Sequence, residues 1–167
     1  YCGGITVMKG SNVTFKAGNY VIKDGPLVVA DTSKITGKNV GFYLTGNLSL
    51  IQFFDNATID LSGAETGPMA GLLFFGSRSQ SKILTHTILS KNAQNLVGTI
   101  YLPNHEMRFY GSGALNEDAE QMAIIANNIG FKGDSSSTFM TTINADYAKA
   151  GFEQPVARMP VTAALVH

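Results

Sequence analysis

The sequence repeats itself at a fixed offset. Residues 4–25 run Ile5-Thr6-Val7, a turn at Lys9-Gly10-Ser11-Asn12, Val13-Thr14-Phe15, a turn at Ala17-Gly18-Asn19, then Tyr20-Val21-Ile22. Residues 26–47 run Leu27-Val28-Val29, a turn at Ala30-Asp31-Thr32-Ser33, Lys34-Ile35-Thr36, a turn at Gly37-Lys38-Asn39, then Phe42-Tyr43-Leu44. Ile5 matches Leu27, Val13 matches Ile35 and Tyr20 matches Phe42, each 22 positions apart. Short runs whose alternate side chains are apolar are strands with one buried face. Three such strands per copy, with a turn at each corner, make one coil of a parallel β-helix, in which like residues stack coil on coil.

The next coil is longer: Leu48–Ile51, Ala57–Leu61, a loop from Ser62 to Ala70, then Leu72–Phe75. Another runs from Ser81 to Asn104 through Ile83-Leu84, Thr87-Ile88-Leu89 and Thr99–Leu102. A further one runs from His105 to Asn128, with Met107-Arg108-Phe109, an acidic insertion near Leu115–Gln121, and Ile124-Ile125; a partial coil begins at Ile129–Gly133. The pattern predicts an all-β, right-handed parallel β-helix, its hand following the crossover rule. Five to six coils at ~4.8 Å each give a rod on the order of 25 Å tall. Residues 1–133 form the coils, and 134–167 are expected to close one end as a capping tail of the same domain, because the end coils of a solenoid leave backbone groups unpaired. The tail holds a short helical stretch at Ala145–Ala150 and an apolar Val161–Val166 run. Elsewhere only Asp118–Asn127 suits a helix, since β-branched residues and glycines interrupt the rest. An antiparallel sandwich fits less well, because the matches run copy to copy and two-residue hairpin turns are not the rule.

Net charge is zero and 14% of residues are charged, so no electrostatic case exists for nucleic acid or an anionic membrane. The 18 glycines, with many Asn, Ser and Thr, suit short strands joined by tight turns. No apolar run reaches the ~20 residues that span a bilayer. The chain starts at Tyr1 without Met or a signal peptide and reads as a fragment of a longer or processed protein. The single cysteine, Cys2, is either a free thiol or half of a bridge to an upstream partner.

Carboxylates are scattered along the chain. Asp60 and Glu65 share the long coil, but a polysaccharide hydrolase needs two carboxylates facing each other, and no cluster suggests a calcium-dependent lyase. Asn116-Glu117-Asp118 reads as a solvated turn. His86, His105 and His167 lack metal-ligand spacing and read as surface or turn residues. No Gly-x-Ser-x-Gly elbow or phosphate loop occurs. No catalytic residue, cofactor or metal site is therefore assigned. The sequons at Asn12, Asn47 and Asn56 are explained by solenoid corners, where Asn tolerates left-handed backbone.

One row of residues stands out. If Tyr20, Phe42, Leu73, Ile100 and Ile124 point inward, then Val21, Tyr43, Phe74, Tyr101 and Ile125 point outward, and they too are apolar. A strand apolar on both faces is covered on both faces. Two readings stay open: Val156–Val166 lies across this sheet, or the row is a partner surface or sugar-stacking strip.

Several segments in order carry a family resemblance: Tyr1-Cys2-Gly3-Gly4, Asn12–Phe15, Gly18–Ile22, Phe42–Gly46, Ala57–Leu61, Gly67–Phe75 and Gly98–Asn104. Together, over residues 1–133, they resemble the carboxy-terminal region of TadG-like proteins, associated with Tad/Flp pilus assembly in bacteria. The resemblance implies an extracytoplasmic domain, periplasmic or at the cell surface, tied to the membrane through an amino-terminal anchor absent from this chain. It implies a non-enzymatic scaffold or binding role toward protein or glycan of the envelope, and brings no catalytic residues. The chain departs from the pattern at Asp118-Ala119-Glu120-Gln121, where similar proteins often carry a second cysteine. The rival readings are a polysaccharide lyase or hydrolase, or a phage or surface spike fragment, on the same solenoid.

Overall fold

Each short apolar run forms a strand lying directly over its counterpart one coil earlier. The computed structural model describes residues 1–80, 82–90, 92–111 and 122–133. The first coil holds β1 (Ile5–Val7), β2 (Asn12–Phe15) and β3 (Gly18–Lys23). The second holds β4 (Leu27–Val29), β5 (Lys34–Gly37) and β6 (Val40–Thr45). The third holds β7 (Ile51–Phe53), β8 (Thr58–Ser62) and β9 (Leu72–Gly76). β10 (Thr85–Ile88) opens the fourth, and β11 (Asn92–Gly111) continues around its corners to begin the fifth. β12 (Met122–Gly133) completes the described part, pairing along β11.

Every strand pairing among the described residues is parallel, and the pairings make three faces. The first runs β1-β4-β7-β10-β11-β12. The second runs β2-β5-β8-β11. The third runs β3-β6-β9-β11-β12. The fold is thus an all-β parallel solenoid of about five turns. The offset of the repeat becomes physical register: Ile5 sits on Leu27, Val13 on Ile35 and Tyr20 on Phe42.

The interior is filled by the inward half of each strand. Leu27, Ile51 and Phe53 line the first face, Ile35, Ile59 and Leu61 the second, and Phe42 and Phe74 the third; all are buried. Tyr20, Phe42 and Phe74 stack along the third face, with ring centroids 5.4 and 5.2 Å apart. Phe15 meets Phe42 edge-on from the second face, at 5.1 Å. Offset and edge-on contacts of this kind are the favoured aromatic geometries.

Corners are built from residues that accept left-handed backbone. Lys9, Asp31 and Asp55 adopt φ of 59°, 60° and 57° at the same corner of successive coils. The carboxylates stitch this corner: the Lys9 amide donates to Asp31 Oδ2 at 2.8 Å and the Asp31 amide to Asp55 Oδ2 at 3.2 Å. A short acceptor beside its own turn is what lets Asp replace Gly there. The sequon asparagines differ from expectation. Asn12 lies in β2, whereas Asn47 and Asn56 do lie at corners, but the left-handed residues there are their neighbours Gly46, Leu48 and Asp55.

Two further expectations change. The second rung of the fourth coil is Asn92–Val97, paired with β8, whereas Thr87-Ile88 belongs to the first face. Its run Asn92-Ala93-Gln94-Asn95 is polar apart from the small, buried Ala93, so alternation does not mark it. Met122–Asn127 is strand, as the Ile124-Ile125 run predicts, although the segment also suits a helix; pairing with β11 outweighs that propensity. Finally, the inward residue of β9 aligned with Phe42 is Phe74, not Leu73. The proposed acidic insertion and the capping tail 134–167, with Ala145–Ala150 and Val156–Val166, lie outside the described residues.

Phe42 is fully buried and stacked on both sides. Phe42→Ala is expected to cost about 3–5 kcal/mol, as for other buried Phe truncations. Urea denaturation followed by circular dichroism measures it; a loss within about 0.5 kcal/mol, the range of a surface substitution, contradicts the central stack.

Candidate functional site

The third face carries a second, outward row of apolar residues. Register places Val21, Tyr43, Phe75, Tyr101 and Ile125 on consecutive rungs. Four members of the anticipated row are therefore present, and Phe74 is not. Phe74 is 0% exposed, and Phe75 takes its place. The cause is one extra residue. Thr99 pairs with Leu72 but Ile100 pairs with Phe74, so Leu73 is bulged out of the ladder and buried. Opposite the bulge, Gly98 has φ of +118°, and a Cβ there would lie 3.4 Å from Leu73 Cβ. That distance is an ordinary contact, so it is the positive φ, rather than space, that favours glycine at this corner.

Tyr43 and Phe75 have ring centroids 5.6 Å apart, and Phe75 and Tyr101 stack at 5.2 Å with planes 18° apart. The aliphatic ends of the row are its most open parts, Val21 being 48% and Ile125 47% exposed. Arg78, beyond the end of β9, folds back over the row: its Cζ is 5.2 Å from the Tyr101 ring centre and 6.0 Å from that of Phe75. Such contacts contribute about 0.5–1 kcal/mol at exposed sites. Asn104 Nδ2 donates to the Arg78 carbonyl at 2.8 Å, which ties the segment bearing Arg78 to the next coil. At the other edge, Met69 covers Gly41; a Cβ on Gly41 would lie 3.0 Å from Met69 Cβ. Sequence reading missed Arg78 and Met69 because both sit in loops, where spacing says nothing about which face a side chain returns to.

The remaining polar candidates go elsewhere. On the outer side of the second face, Thr14 Oγ1 and Thr36 Oγ1 are hydrogen-bonded at 3.0 Å, Thr36 pairs with Asp60, and Asn95 Nδ2 donates to Asp60 Oδ1 at 2.6 Å. Glu65 is exposed in the loop leading to β9. Glu106 lies on the first face, held by Arg108 at 2.8 Å and by the Thr85 hydroxyl at 3.0 Å. Asp60 and Glu106 thus serve rung-to-rung contacts on different faces, and Glu65 stands apart from both. Glu117 and Asp118 lie outside the described residues. Among the described residues no group of acidic, His or Cys side chains is placed to hold a metal. Cys2 is exposed, its backbone paired with Lys23.

His86 and His105 are interior, not surface, residues, and His167 lies outside the described residues. Each ring occupies a corner and substitutes for a backbone acceptor. The Ile51 amide donates to His86 Nδ1 at 3.0 Å and the Leu84 amide to His105 Nδ1 at 3.2 Å. The two rings meet edge-on at 5.3 Å. An Nδ1 that accepts is unprotonated, which assigns the proton of a neutral ring to Nε2. His86 Nε2 is buried and has no hydrogen-bond partner among the described residues. Burial, with His105 adding repulsion, lowers the His86 pKa to about 3, and burial lowers that of His105 too.

Comparison with family models, curated proteins and solved structures gives no match.

His86 generates a pH prediction. Its folded pKa is depressed, so the unfolded chain binds the proton more readily. The associated stability is present above pH 6.5 and is lost as pH falls toward 3. The steepest loss is about 1.4 kcal/mol per pH unit for each such group. Urea midpoints between pH 7 and 4 should fall less steeply for His86→Gln, which keeps a side-chain acceptor, than for the unmodified protein; equal slopes refute the assignment.

Proposed function

We propose that this chain is a non-catalytic, extracytoplasmic scaffold or binding domain associated with Tad/Flp pilus assembly and adhesion, located in the periplasm or at the cell surface. The outward row Val21, Tyr43, Phe75, Tyr101 and Ile125 is its contact surface. The observation that carries this reading is the continuity of that row: apolar side chains in register on five consecutive rungs, with the Arg78 cation laid across Phe75 and Tyr101. Exposed contiguous apolar surface marks interaction sites in soluble domains. A solenoid suits the role, because each coil contacts only its neighbours and the stack presents one extended face. The link to pilus assembly is supported by the order of segments from Tyr1-Cys2-Gly3-Gly4 to Gly98–Asn104. The chemistry is surface complementarity with a protein or glycan of the envelope.

The double variant Phe75→Ser/Tyr101→Ser, introduced into the full-length protein in its host, tests this. The outward positions carry little of the core, so the purified variant should keep its β-sheet circular dichroism. Pilus-dependent adhesion should fall about tenfold or more, as when aromatic anchors are removed from an interface. Unchanged adhesion by a folded variant refutes the surface. Polysaccharide cleavage that disappears in Asp60→Ala, Glu65→Ala or Glu106→Ala would instead establish an enzyme.

A further inference from the structure

We propose that the outward aromatic row is a homodimer interface, in which two copies pack their third faces together about a two-fold axis parallel to the rods. This deepens, and rests on, the reading of the row as a contact surface. The first argument is the state of the rings. Phe75 and Tyr101 stack on each other at 5.2 Å, and Arg78 lies across both. A sugar stacks on an open ring face; here the faces are turned toward neighbours along the row. Edges and aliphatic ends are left, and they are satisfied by packing against a second apolar layer. The same row on a second copy has the required spacing, rung for rung.

Charge selects the two-fold. The exposed Glu65 lies in the loop before β9 and the exposed Arg78 just after it, so they flank one rung at opposite ends. Among the described residues Arg78 has no carboxylate partner, the one ion pair being that of Arg108 with Glu106. A two-fold axis parallel to the rods reverses strand direction and keeps coil height. It therefore sets Arg78 of each copy opposite Glu65 of the other, and each ring of the row against its own copy. The two-fold along the strands would bring the two Arg78 side chains to the same edge, where like charges repel. The first rung is flanked by lysines on both sides, Lys16 and Lys23. That places the contact around the third and fourth coils. Such an interface is isologous and closed, and zero net charge puts no bulk repulsion against it. A contact of a few rungs belongs to the small, weaker class of interfaces, so association is concentration-dependent.

Size-exclusion chromatography with light scattering, over a dilution series of the purified chain, reads the dimer directly. The expected result is a dimer that Phe75→Ser abolishes and that Arg78→Glu or Glu65→Arg each weakens about tenfold or more. The double reversal Arg78→Glu/Glu65→Arg should recover the dimer, because it rebuilds the same pair with its signs exchanged; a merely structural role would not rescue. Circular dichroism confirms that each variant is folded. A chain that stays monomeric throughout, or a dimer indifferent to both single reversals, overturns the proposal. If the monomer appears while the Phe75→Ser/Tyr101→Ser protein still loses adhesion, only the dimer falls. If adhesion is intact as well, the contact surface falls with it.

Discussion

The structure depends on one constraint: each strand must find its hydrogen-bond partners in the coils above and below, not in its own coil. Parallel pairing in register satisfies the backbone only if every coil returns to the same height step. Once it does, equivalent residues are forced into columns. Tyr20, Phe42 and Phe74 form a stack because their backbones are paired, and the stack then stabilises the pairing. An apolar interior continuous across all three faces follows from the same geometry.

Corners decide whether that height step can be kept. Where a strand turns, backbone groups lose their ladder partners and something else must supply them. At one corner the answer is a carboxylate from the next coil, as Asp31 serves Lys9 and Asp55 serves Asp31. At another it is an imidazole, as His86 serves Ile51 and His105 serves Leu84. The second solution places a titratable ring inside the core. It couples the integrity of the third to fifth coils to the ring staying neutral, which gives the fold an acid sensitivity that aliphatic corners would lack.

The outward row on the third face has a different logic. Its rings add nothing to the interior, yet pairing carries them from rung to rung with the same precision as the core residues. A bulge at Leu73, where β9 pairs with Thr99 and Ile100, decides which of two consecutive phenylalanines enters the core and which faces out. The outward row and the interior are thus two sides of one register, and one inserted residue exchanges their membership. Loops on either side then finish the surface, Met69 filling the space above Gly41 and Arg78 covering Phe75 and Tyr101.

Sequence alone determined the solenoid, because a constant offset between like residues is the pattern that parallel stacking requires; Ile5 with Leu27, Val13 with Ile35 and Tyr20 with Phe42 were legible before any coordinate. It also identified four residues of the outward row, since alternation within a strand assigns sides. It did not reveal Phe75 in place of Phe74, the polar rung at Asn92–Val97, or the interior position of His86 and His105. In each case the deciding partner is far away in the chain: Thr99 and Ile100 of β11 for the bulge, β8 for the polar rung, the Ile51 and Leu84 amides for the imidazoles. Local pattern records which side chains are apolar, whereas a register shift against a distant strand or an amide left without an acceptor exists only once the coils are stacked.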